Sequence, residues 1–280
     1  MRKCFFVVVL ALLLSACATG PTGPTKQFVR TGPNHDAILP NVKSVAIVAD
    51  VCLLRDVTEG DRYWSIKDSR AAEQCMIESA KATLTSKGYD VVSVETPFVG
   101  GFKNPALTFK FAAEEGGQVS EMRPPLFVTE GLAGDPAYQQ SMATIIRGSL
   151  SAVGQSKKPP SDICCTNTDM KEAMDTIVKN TGGDAILFLV GQGVIVPAGK
   201  SVAEGVATGV LTTALTLGMF TYSRWSVSWL DTYAAFVDAG TGEILWSNSL
   251  RLKGGGFTNK DYYTEKKWPY YILYHMPARR

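Results

Sequence analysis

The sequence predicts an α/β protein in which a mixed sheet is flanked by helices and ends in a long carboxy-terminal hairpin. Three observations lead there. A β-branched run, an amphipathic helix and a second β-branched run follow one another over residues 42–94, the signature of a βαβ-type unit. Two helical stretches then precede a strongly apolar strand over residues 185–196. Residues 225–247 alternate with period two around Asp238-Ala239-Gly240-Thr241-Gly242, which reads as a hairpin with its turn. Composition agrees, because a chain of 280 residues that is 45% apolar with 26 Gly and 14 Pro is neither disordered, collagenous nor a coiled coil. A formal net charge of +2 gives no electrostatic reason to expect nucleic acid.

The elements follow in order. Residues 18–41 are rich in Gly, Pro, Thr and Asn without apolar periodicity, so residues 17–41 read as a flexible tether. A folded domain over 42–280 opens with Ser44-Val45-Ala46-Ile47-Val48-Ala49, bounded by Pro40 and Asp50, which suits a buried strand. The helix over 67–87 takes Asp68 or Ser69 as its cap, carries Ala72, Cys75 or Met76, Ala80 and Leu84 at helical spacing, and stops at Gly88. A second strand covers 89–94. Residues 96–136 lose periodicity and form an irregular insertion, a place for a binding loop or small extra elements. Helices are expected over 137–153 and 169–180. Gly191 and Gly193 inside the next strand indicate a bulge or a close backbone approach.

The amino terminus carries the most specific signal. Met1-Arg2-Lys3 is basic, residues 5–14 are uninterruptedly apolar, and the small residues Ser15 and Ala16 follow, which is the layout of a secretory signal peptide over residues 1–16. An apolar run of about ten residues is half of what a bilayer span requires. Leu14-Ser15-Ala16-Cys17 closely resembles the lipobox of bacterial lipoproteins, in which the cysteine thiol is acylated, with palmitate among the chains, and becomes the first mature residue. The resemblance implies that Cys17 is an anchor in membrane lipid, since two or three acyl chains hold where one does not. It also implies sorting to the periplasmic face of the outer membrane, because position 18 is Ala rather than the Asp that retains such proteins at the inner membrane. Loss of residues 1–16 removes Arg2 and Lys3 but no acid, which cancels the excess of 28 bases over 26 acids.

Of six cysteines, Cys52, Cys75, Cys164 and Cys165 lie beyond the lipobox, an even number for an oxidising compartment. Cys52 and Cys75, at the end of a strand and on the following helix, form a candidate disulfide; adjacent Cys164 and Cys165 do not readily bridge each other. No C-x-x-C spacing suggests a metal.

The order of elements, together with Val42-Lys43-Ser44-Val45-Ala46-Ile47-Val48, Gly183-Asp184-Ala185-Ile186-Leu187 and the turn Asp238-x-x-Thr241-Gly242-Glu243-Ile244-Leu245-Trp246, resembles lipoproteins built on the fold of the amino-terminal domain of TolB. The curli secretion lipoprotein and the lipoprotein activators of penicillin-binding proteins belong to that group. The resemblance implies a TolB amino-terminal-domain-like sheet and a non-enzymatic role in the cell envelope through contacts with other envelope proteins or with copies of itself. An oligomeric secretion channel like the curli pore is the alternative.

Catalytic patterns are absent from the sequence. A nucleophilic triad needs a histidine, and the two present are His35 in the tether and His275 near the end. There is no Gly-x-Ser-x-Gly elbow, and Glu114-Glu115 lie in polar, glycine-rich sequence. Gly193 to Gly199-Lys200-Ser201 has five residues between its glycines where a P-loop has four, and one of them is proline, so no nucleotide and no cofactor is expected. Ser201, Gly205, Gly209 and Thr213 recur every four residues in a stretch, 201–220, whose single charge is Glu204. On a helix they form one smooth stripe. It either packs on the sheet or serves self-association or membrane contact, while the glycines also suit an irregular loop. Trp268, Tyr270, Tyr271 and Tyr274 near the carboxy terminus suit an interface or, with Ile272 and Leu273, packing onto the sheet.

Overall fold

The computed structural model describes residues 29–56, 62–97, 109–112, 118–122, 135–154, 168–196, 228–253, 272–273 and 275–279. Their strands are β1 Arg30–Thr31, β2 Ser44–Asp56, β3 Arg62–Ser65, β4 Asp90–Glu95, β5 Phe109–Ala112, β6 Val119–Met122, β7 Ala185–Ile195, β8 Trp229–Asp238 and β9 Ile244–Lys253. The helices are α1 His35–Ile38, α2 Ile66–Ser86, α3 Pro136–Gly154 and α4 Thr168–Thr181. All strands join one mixed sheet in the order β1-β9-β8-β7-β2-β3-β5-β6, with β4 also on β2. The α/β class with a mixed sheet, flanking helices and a long hairpin is therefore the observed one.

β2 is central. It runs parallel to β7 from Val45↔Ala185 to Arg55↔Ile195 and parallel to β4 from Ser44↔Asp90 to Val48↔Glu95. Its pleat divides the core. Val45, Ile47, Ala49, Val51 and Leu53 pack with Met76, Ala80 and Leu84 of α2, whereas Ala46 and Val48 pack with Met142 and Ile146 of α3 and Ile177 of α4. The same alternation sends Leu187 and Phe236 to the α2 side and Phe188 and Val237 to the other. Helices thus cover both faces, as parallel strands require. Each large side chain so buried contributes on the order of 1.5–3 kcal/mol.

Several boundaries differ from the sequence expectation, each for a physical reason. The folded chain begins inside the expected tether: Arg30 and Thr31 pair with Ser247 and Trp246, and the Glu243 carboxylate accepts hydrogen bonds from the Asn34 backbone and side-chain amides at 3.0 and 2.9 Å. Leu39 and Val42 are buried. A two-residue strand and a single helical turn are too short to leave a periodic trace. The insertion 96–136 holds the antiparallel pair β5–β6, and β5 extends the sheet beside β3. Four-residue strands between glycines escape the same test.

The cap of α2 is Ser65, whose hydroxyl accepts the Asp68 N–H at 3.2 Å, rather than Asp68 or Ser69. Ser65 keeps an extended backbone at the end of β3, as an N-cap must, while the two expected caps are already helical. Gly88 does end α2, with φ of 87°.

The β8–β9 hairpin forms as expected. Asp238 Oδ2 accepts the Thr241 N–H and hydroxyl at 2.7 and 2.8 Å, and Gly242 has φ of 70°. The carboxy-terminal segment returns to the α2 side of the core with Ile272, Leu273 and Met276. There Tyr89 donates to the Pro277 carbonyl at 3.3 Å, Lys87 Nζ donates to the Met276 carbonyl at 2.6 Å, and the Arg279 amide donates to the Lys87 carbonyl at 2.9 Å. The rings of Trp268, Tyr270, Tyr271 and Tyr274 lie outside the described residues.

The glycines of β7 mark a close approach rather than a bulge, since pairing to β2 and β8 runs through them without a shift. A Cβ on Gly193 would sit 2.3 Å from the Trp229 carbonyl oxygen, inside the backbone of β8, whereas one on Gly191 would meet only side-chain atoms at 3.3 Å or more. Gly193→Ala is therefore expected to destabilise by about 1–3 kcal/mol through overpacking, and Gly191→Ala by less. Urea unfolding of both variants measures the difference.

Candidate functional site

The concentration of buried polar groups lies along one edge of β2. β4 pairs with that edge up to Val48 and β3 from Leu54 onward, so on that edge residues 49–53 have no strand beside them among the described residues. Unpaired backbone donors inside a protein are costly. The amino-terminal half of α2 meets them with side chains. Ser69 Oγ accepts the Leu53 N–H at 2.9 Å and donates to the Ser65 carbonyl, and the Glu73 carboxylate accepts the Val51 N–H. Spacing of four places Ser69 and Glu73 on one helix face.

Glu73 is 2% exposed and Asp50, on β2, is 1% exposed. Arg70 Nη1 donates to Glu73 Oε2 and to the Thr96 carbonyl just beyond β4, at 3.2 Å for the latter. Burial pushes the Glu73 carboxyl up to about 8; the negative charge of Asp50 adds to that, while Arg70 and the Val51 N–H pull back less strongly. Cys52 lies beside Asp50, and burial, followed by the charges of Asp50 and Glu73, drives its thiol well above the ordinary range. Burial also raises Glu95, at the end of β4, and Tyr138, the latter with help from Glu95 and Asp135.

A second buried pair closes the top of the gap. Arg55 Nε donates to Asp68 Oδ2 and Nη2 donates to Oδ1 at 3.1 Å. Burial would raise Asp68, but the bonds from Arg55 and Ser65 outweigh it and hold the carboxyl below its usual range. On the face of β2 turned away from α2, Cys52, Gln192, Asp231 and Arg251 form a cross-strand row. In it Arg251 pairs with Asp231, and its guanidinium lies 5.0 Å from the centre of the Trp229 ring.

A thiol raised by burial is a poor nucleophile, and His35 and His275 sit on α1 and on the carboxy-terminal segment, not on the elements of the gap. Among the described residues no cluster of three or more His, Cys, Asp or Glu is arranged to hold a metal ion.

The expected Cys52–Cys75 disulfide is not formed; both are buried thiols. Cys75 packs in the core on the α2 side together with Val51 and Leu53, and the strand alternation turns Cys52, between those two, to the opposite face of β2. Sequence adjacency of strand and helix suggested proximity, but the pleat decides direction. Cys17 and the stripe of Ser201, Gly205, Gly209 and Thr213 lie outside the described residues, as do Cys164 and Cys165. The Glu73 site was missed in the sequence. Its signal was an acid four residues from Ser69 and four from Ile77, within the apolar stripe of a helix.

Removing one member of a buried ion pair leaves the other charge uncompensated, at a cost of about 3–5 kcal/mol, whereas replacing both by apolar groups is much milder. Arg55→Leu is expected to destabilise in that range, and Arg55→Leu with Asp68→Leu to recover most of it. Denaturant unfolding of the two variants checks this.

No protein-family model matches the chain, and no curated protein matches it. Among solved structures it is similar to the PelC dodecamer from Paraburkholderia phytofirmans, with 11% identity over 88% of this chain and 97% of that one at a TM-score of 0.32. It is also similar to the lipoprotein GNA1162 from Neisseria meningitidis, with 12% identity over 76% of this chain and 83% of that one at a TM-score of 0.26.

Proposed function

We propose that the protein is a non-enzymatic outer-membrane lipoprotein, anchored through acylated Cys17 on the periplasmic face, that acts in envelope assembly or maintenance through contacts with other proteins. The observation that carries this reading is Leu14-Ser15-Ala16-Cys17 after a basic start and a short apolar run. The sheet supports the TolB amino-terminal-domain-like assignment, because parallel strands covered by helices on both faces continue into an antiparallel hairpin. Among the described residues no helix is long and apolar enough to cross a membrane. Acylation supplies the attachment in this reading, and the short stretch between Cys17 and β1 sets how far the sheet stands from the lipid.

Cys17→Ala is expected to abolish membrane attachment, as read by fractionation. Recovery of the variant with outer membranes after a high-salt wash would overturn the anchor. Ala18→Asp is expected to move the protein toward the inner membrane.

An oligomeric secretion channel is the second reading, favoured by the stripe of Ser201, Gly205, Gly209 and Thr213, which would let backbones meet closely. Mass measurement of the protein in detergent decides between adaptor and ring. In the channel reading Gly209→Leu leaves the domain folded and abolishes the oligomer; in the adaptor reading the wild type is monomeric, and the variant changes only melting temperature.

A further inference from the structure

β1 fixes the direction from which the chain reaches the sheet. It runs antiparallel to β9, with Arg30 opposite Ser247 and Thr31 opposite Trp246, and the Gly32 amide continues the pairing by donating to the Leu245 carbonyl at 3.0 Å. The chain thus runs toward the start of β9, and the residues before Arg30 arrive from the side of its carboxy end at Lys253. Twelve residues, 18–29, separate Cys17 from β1. A flexible chain of that length spans about 20 Å. The six strand residues 248–253 cover about the same 20 Å between Ser247 and the end of β9.

The two ends of the sheet differ in chemistry. At the carboxy end of β9 lie the ends of β2 and β7 and the start of β8, since Arg55 pairs with Ile195, Val194 with Trp229, and Trp229 with Lys253. Ser228 Oγ accepts the Val196 N–H at 2.9 Å, which ties β7 to β8 where a tight turn of two to five residues would suffice. The sequence instead places residues 197–227 between them, with Glu204 as the single charge in 201–220. The connection that leaves β9 at the same end, 254–271, carries Trp268, Tyr270 and Tyr271 with Lys266 and Lys267. On the sheet itself the Arg251 side chain, 42% exposed, lies over the Trp229 ring. Small apolar residues, aromatic rings and bases together are the composition of a membrane interface. The opposite end exposes Asp36, Asp90 and Asp184, carboxylates that anionic headgroups repel.

We propose that the sheet end formed by Ile195, Trp229, Arg251 and Lys253 is a lipid-facing surface, brought against the bilayer by β1 and the short chain to acylated Cys17, so that the Asp238–Gly242 turn points away from the membrane. This rests on the anchor reading above and adds an orientation to it. The chain to the anchor is no longer on average than the remaining edge of β9, which places the acyl groups level with this end of the sheet. Reaching the opposite end would require the chain to reverse beside β1 and pass α1, toward a surface whose exposed acids disfavour lipid.

Photolabelling of the full-length protein, purified from membranes, tests it. The protein is reconstituted in vesicles of phosphatidylethanolamine and phosphatidylglycerol that contain a phospholipid with a diazirine on its headgroup, then irradiated and digested, and adducts are assigned to residues by mass spectrometry. Adducts at and beside Ile195, Trp229 and Lys253 are expected to exceed those at Asp36, Asp184 and Thr241 severalfold. Equal labelling of the two ends, labelling concentrated at Asp36, Asp184 and Thr241, or no labelling of either end overturns the proposal. The peptide that begins at Cys17 reports its acyl mass in the same digest. With the acyl chains present, each of those three outcomes removes the orientation and leaves the anchor standing. A Cys17 peptide without acyl mass overturns the anchor reading, and this proposal with it. The measurement uses the wild type, so it does not depend on a variant folding.

Discussion

The constraint on which the rest depends is that β2 is buried on both faces and paired in parallel on both edges. A parallel strand cannot be reached by a tight turn, so each neighbour requires a crossover. The crossover to β4 is α2 on one face, and the route from β4 to β7 passes through α3 and α4 on the other. Strand parity then sorts the core: Val45, Ile47, Ala49, Val51 and Leu53 belong to α2, and Ala46 and Val48 belong to α3 and α4. The hairpin β8–β9 and the carboxy-terminal segment complete the α2 side, where Tyr89 packs 5.4 Å from the Phe236 ring.

The same strand creates the polar site. β2 has thirteen residues and β4 only six, so β4 cannot follow it to the end, and β3 takes up the edge beyond a five-residue interval. Backbone donors on that edge of the interval have no strand beside them among the described residues. Side chains of α2 satisfy them, and that buries the Glu73 carboxyl, with Arg70 bonded to it, in a low-dielectric position. Ordinary sheet geometry continued along β2 would have made the acid unnecessary. A buried acid among Ala72, Met76, Ile77 and Ala80 is the local inconsistency that marks a special site.

Two kinds of conclusion about this protein rest on separate segments. The proposed envelope assignment rests on Leu14-Ser15-Ala16-Cys17 and its resemblance to a lipobox. The behaviour of the sheet rests on contacts dozens of residues away and is independent of where the chain is anchored. In the proposed reading the two would meet at β1, since that strand pairs with Ser247 and Trp246 on β9, and tension on an anchor at Cys17 would be borne by the hairpin.

By itself the sequence determined what periodicity and local chemistry can carry. The alternation around Asp238 to Gly242, the apolar run of β7, the βαβ order from Val45 through Leu84 to Val94 and the stop at Gly88 were all legible, because each is written within about twenty residues. The short elements β1, β3, β5 and β6 were not, since two to four residues are less than one period of any pattern and owe their form to a neighbouring strand. The tertiary structure alone decided the direction of Cys52, the cap at Ser65 in place of Asp68, and the burial of Glu73 beside the edge of β2. These follow from pleat parity and from which edge donors lack a strand. Pairing between distant segments fixes both, and no local pattern encodes it.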